Sequence, residues 1–117
     1  MIPEAGALLR IFVGEDDRVQ GDGAAHGKRL YEWIVLEAKR TGLAGATVLR
    51  GILGYGANSR LHTWHIERLS QDMPIIIELV DSEEALLAFL DHVGPELREG
   101  LATMEKATIR LYRPDAE

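Results

Sequence analysis

Between residues 47 and 63 the chain reads TVLRGILGYGANSRLHT, a stretch that gathers the residue types suited to holding an anion. Arg50 and Arg60 flank glycines at positions 51, 54 and 56. A guanidinium takes phosphate or carboxylate bidentately. Glycine lets backbone approach a ligand or adopt φ > 0, and consecutive N–H groups exposed over such glycines form an anion nest. Asn58 and Ser59 add neutral hydrogen-bonding groups, and His62 adds a donor whose charge can switch near neutral pH. The same letters also suit an ordinary hairpin tip whose arginines pair with the chain's own acidic residues. The glycines are not a nucleotide fingerprint: no Gly-Lys-Ser/Thr follows, and no helix is expected to start there.

Other chemistry is poorly supplied. His62 and His65 are three apart on an expected strand, so they point to opposite faces and make poor joint metal ligands. His26 and His92 are remote in sequence. Glu15, Asp16, Asp17 and Asp22 lack the ligand order of a calcium loop and read as a solvated acidic loop. No metal and no cofactor are expected. Ser59 with His62 is the one short-range nucleophile–base pair, and it lacks both an acidic orienter and a nucleophile elbow. The chain is therefore not expected to be an enzyme.

These residues must be positioned by 117 residues, enough for one domain spanning 1–117 with a core at about 8–113. An apolar content of 46% argues against wholesale disorder. With no cysteine there are no disulfides, no thiol catalysis and no zinc–thiolate site. The opening MIPEAGALLRIF has neither a basic leader with a long apolar run nor a membrane span, and a cytoplasmic setting is expected. Nineteen acidic against thirteen basic side chains give a formal charge of −6, which argues against nucleic acid as a partner.

Residues 8–14 read as a strand, and 15–27 as a loop without hydrophobic period. Residues 28–41 read as a helix with Leu30, Ile34 and Ala38 on one face and Gly42 as its C′ residue. A second strand is expected over 47–52. Residues 61–69 alternate as an extended arm or the return side of a hairpin. After a turn at 71–74, residues 75–80 are apolar except for Glu78, the pattern of a central strand covered on both faces. Asp81 or Ser82 caps a helix with Leu86, Phe89, Leu90 and Val93 inward, and Gly94-Pro95 ends it. Residues 101–112 form the last strand. The order is βαββαβ, an α+β, ferredoxin-like sandwich: a four-stranded antiparallel sheet with two helices on one face. The uncovered sheet face is expected to meet other copies of the chain.

At the level of whole segments the chain resembles the DUF190 family of the nitrogen regulatory PII-like superfamily. The resemblance is carried by LRIFVGEDDR (9–18), LYEWIVLEAKRTGLAGATVLRGILGYG (30–56), SRLHT (59–63), LSQDMPIIIELVDSEE (69–84) and GLATMEKATI (100–109). It implies a homotrimer that binds an adenine nucleotide (AMP, ADP or ATP) in clefts between subunits. A loop after the second strand would report the ligand to a membrane transporter or an enzyme. Gly54, Tyr55 and Gly56 would form the base of that loop, and residues 58–63 its beginning. Lys106, or Glu105 beside it, would approach from a neighbouring chain. The glycine-rich, lysine-containing phosphate loop that precedes the last strand in PII proteins is replaced here by PELREGLATMEK (95–106). The competing expectation is a structural or partner-binding protein that engages its target without a nucleotide.

Overall fold

The structure, a computed structural model, describes residues 4–54 and 73–112. Period-two burial builds its centre. In β1 (Ala5–Gly14), Ala7, Leu9, Ile11 and Val13 are buried while Leu8, Arg10 and Phe12 stay half-exposed. In β3 (Pro74–Asp81), Ile75, Ile77 and Leu79 are buried while Ile76, Glu78 and Val80 are half-exposed. The register sets Leu9 opposite Leu79 and Ile11 opposite Ile77, so the two buried rows share a face. β2 (Gly45–Arg50) pairs with β3, and β4 (Leu101–Thr108) pairs with the other side of β1. The order is β2-β3-β1-β4, antiparallel throughout. This is the expected ferredoxin-like sandwich.

The helices cover the buried face. α1 (Leu30–Arg40) contributes Leu30, Ile34 and Ala38, and α2 (Glu83–Val93) contributes Leu86, Phe89 and Val93. α1 ends in a Schellman motif: the Leu43 N–H donates to Ala38 O at 3.0 Å and the Gly42 N–H to Lys39 O at 3.1 Å, with Gly42 at φ 83°. α2 starts at Ser82, whose Oγ accepts from the Ala85 N–H at 3.1 Å. A 3₁₀ turn, Gly94–Glu96, follows it.

Several expected boundaries move for identifiable reasons. β4 ends at Thr108 rather than 112, because its partner β1 begins at Ala5; the Ile109 N–H reaches Glu4 O and the ladder stops. α1 begins at Leu30 rather than 28 because the loop before it folds back on itself. Arg18 bridges Arg29, the Val19 N–H donates to Lys28 O, and the Gly27 N–H donates to Val19 O, each of these two bonds at 2.9 Å. Val19, only 4% exposed, plugs this small hairpin into the core. β2 starts two residues earlier than expected and ends at Arg50. The expected alternating arm at 61–69 lies outside the described residues.

The second face of the sheet has no helix over it. Leu8, Phe12, Leu49, Ile76, Val80 and Leu101 lie there by register. In their midst the Arg10 guanidinium donates from Nε to Glu78 at 3.0 Å and from Nη1 to Glu105 at 3.1 Å. β3 is thus central and apolar on both faces, and within one chain only the helix side is covered.

Candidate functional site

No polar or charged side chain among the described residues is buried, so ligand chemistry must be sought at the surface. The candidate arginine sits where β2 ends, β3 begins and β1 runs out. Arg50 is the last residue of β2, paired with Ile75, on the same side of the sheet as the helices. Its Nε donates to Glu15 Oε1 at 3.1 Å. The Met73 N–H donates to the same oxygen at 3.4 Å. One carboxylate oxygen therefore collects a guanidinium and a backbone amide, the donor set expected of an anion site. Glu15 is held there from behind: its own N–H donates to Met73 O at 2.9 Å, and Arg29 Nη1 donates to its carbonyl at 3.4 Å.

Gly51 and Gly54 contribute differently from the expected nest. Neither has positive φ; among the described glycines that property belongs to Gly23, Gly27 and Gly42. Gly51 is needed for close approach, since a Cβ there would lie 2.7 Å from Pro74 Cγ while its N–H donates to Pro74 O at 2.7 Å. Beyond it Ile52 and Leu53 are 88% and 68% exposed. Tyr55, Gly56, Asn58, Ser59, Arg60 and His62 lie outside the described residues.

Lys106 is at the far corner. It sits on the opposite edge strand, paired with Ala7, whereas Arg50 is level with Val13 through Ile75. Six residues along β1 and three strand spacings separate them by roughly 20–25 Å. One chain does not bring these two cations together. Glu105 points to the other face of β4 and is engaged by Arg10.

Two clusters were not legible in the sequence. Glu96, after α2, accepts the consecutive N–H groups of Gln20 (2.8 Å) and Gly21 (2.9 Å), clipping the loop tip to the 3₁₀ turn. Glu37 of α1 accepts from Arg40 Nη2 at 2.6 Å and lies 2.6 Å from His92 Nε2 on α2, a contact that puts a proton on that nitrogen. Arg40 first, then His92, holds the Glu37 carboxyl down to about 2. The acidic loop also differs from its solvated reading, because the Glu15 side chain is only 20% exposed. Sequence offered one hint, three acids placed directly at the end of a strand. Among the described residues no cluster of three or more His, Asp or Glu could hold a metal ion, and no described helix is long and apolar enough to cross a membrane.

Comparison with known proteins gives this geometry a family. Residues 6–109 match DUF190, described as "Uncharacterized ACR". The chain belongs to the DUF190 family. This DUF190 chain is 34% identical over 102 residues to a UPF0166 protein of Aquifex aeolicus, covering 87% of this chain and 90% of that one. A UPF0166 protein of Methanocaldococcus jannaschii is 38% identical over 92 residues, 79% of this chain and 75% of that protein. The fold is that of PII-like proteins. CPII of Thiomonas intermedia K12, a nitrogen regulatory PII-like protein solved bound to ADP, AMP and bicarbonate, superposes with a TM-score of 0.58 at 18% identity. The match covers 91% of this DUF190 chain and 96% of CPII.

Proposed function

We propose that this DUF190 protein is a non-catalytic PII-like regulator. It assembles as a homotrimer and binds a small anionic metabolite, an adenine nucleotide, in the clefts between copies. One chain supplies Arg50, Gly54, Tyr55, Gly56, Asn58, Ser59, Arg60 and His62, and its neighbour supplies Lys106. The segment after β2 reports occupancy to a transporter or enzyme. The observation that carries this reading is the corner at Arg50, where a guanidinium and a backbone amide converge on a carboxylate oxygen. The distance to Lys106 favours a cleft between chains over a site within one, and the bare apolar sheet face favours assembly. CPII, with the same fold, binds ADP and AMP.

Isothermal calorimetry with AMP, ADP and ATP, with and without magnesium, tests the reading. Saturable binding below millimolar concentration is expected. No heat from any of them at millimolar concentration removes the nucleotide and favours the second reading, a protein that docks its target directly. The exposure of Ile52 and Leu53 speaks for that alternative.

A further inference from the structure

The carboxylate at Arg50 belongs to the chain itself, and its placement has the form of a stand-in. We propose that Glu15 is a tethered anion that occupies the Arg50 corner and must swing out when a phosphate or carboxylate group of a ligand enters. The inference rests on the anion-binding reading of this corner and adds its regulation.

Three observations carry it. First, Glu15 Oε1 accepts from Arg50 Nε and from the Met73 N–H, so an incoming anion competes for these two hydrogen bonds. Second, the Glu15 backbone is fixed independently of its side chain, by the Glu15 N–H to Met73 O bond and by Arg29 on its carbonyl. Release therefore needs only side-chain rotation and leaves β1 and β3 in register. Third, exposure is asymmetric: the Arg50 side chain is 52% exposed and Glu15 20%. The pair therefore lies at the solvent boundary, where exchange with a dissolved anion needs no opening of the core. A charge-assisted contact in this setting is worth little to stability, so its persistence costs the fold nothing when exchanged, while its charge opposes any anion that does not displace it.

The experiment compares wild type with Glu15→Gln and Glu15→Ala, using ADP, ATP and inorganic pyrophosphate as calorimetric probes. Circular dichroism and thermal melts establish that each variant folds. Asp16→Asn makes the same charge change one residue away, at a side chain that faces Arg29 at 3.9 Å. Both Glu15 variants are expected to tighten binding by about tenfold, or ~1.4 kcal/mol. Asp16→Asn should change it less than about threefold, since its carboxylate is 56% exposed and faces Arg29 rather than the Arg50 corner. Adding Arg50→Gln to Glu15→Gln should abolish the gain. Equal or weaker affinity in folded Glu15 variants overturns the exchange, as does an equal gain from Asp16→Asn. If wild type binds a nucleotide while Glu15→Gln gains nothing, only the exchange fails. If Glu15→Gln binds pyrophosphate and wild type binds no probe, the exchange stands and the nucleotide reading fails. Silence from every protein overturns both.

Discussion

At the scale of single residues, the interactions that matter are those between side chains far apart in sequence. Glu37 sits between Arg40 and His92, and its folded pKa of about 2 lies below the ordinary 4.5. A depressed carboxyl pKa contributes stability that is complete above the unfolded value and fades as pH falls toward the folded one. Glu37→Gln should therefore lower unfolding free energy near neutral pH, with the gap to wild type closing between about pH 5 and pH 2. Because the Arg40 and His92 side chains are 61% and 43% exposed, the loss at pH 7 should be only about 1 kcal/mol. Denaturant titrations across that range check it, and a gap independent of pH would contradict it. Glu37 and Arg40 lie three apart on α1, a spacing that a helix brings together. The partner on α2 was not legible in the sequence, since nothing local ties His92 to position 37, just as nothing local ties Glu15 to Arg50.

The elements differ in how well their sequences declare them. α2 carries every local signal: Ser82 as N-cap, acidic first turn, an inward row of Leu86, Phe89 and Val93, and a stop at Gly94. Ser82→Ala should cost about 1 kcal/mol in chemical denaturation, and an unchanged midpoint would mean that the Ala85 N–H finds another acceptor. α1 has no such side-chain cap; the loop supplies one from its backbone, as the Leu30 N–H donates to Asp17 O at 2.8 Å. That loop was the least legible element because its order depends on one apolar anchor and on pairing across a few residues. Val19→Ala should cost about 2 kcal/mol, the value of burying one aliphatic side chain. The backbone amides of residues 19 and 27 should lose hydrogen-exchange protection before those of β1. Uniform loss across the fold would instead make the loop part of the global unit.

For the whole molecule, the antiparallel sheet with both helices on one face followed from hydrophobic period together with crossover handedness, since βαββαβ leaves few topologies. The strand order β2-β3-β1-β4 came from the structure. Nor could period supply the ion triad at Arg10 inside the apolar sheet face. Arg10 with Glu78 and Glu105 carries a formal charge of −1, set among Leu8, Phe12 and Ile76. Light scattering at micromolar concentration should give about three chain masses. Ile76→Lys, which adds a cation to the apolar rows without touching the helix-side core, should yield a folded monomer. A monomeric wild type would remove the assembly and the cleft together; a trimeric Ile76→Lys would move the interface off this face.

On the proposed site between chains, the diagonal placement of Arg50 and Lys106 would make concentration a variable of the ligand chemistry. A ligand that bridges these corners from two chains binds only associated protein, so occupancy and association become one linked equilibrium. Diluting the protein below the dissociation constant of the assembly should then weaken apparent affinity, and saturating ligand should hold the assembly together at dilutions where the empty chains part. A sensor built this way responds to its own abundance as well as to its metabolite.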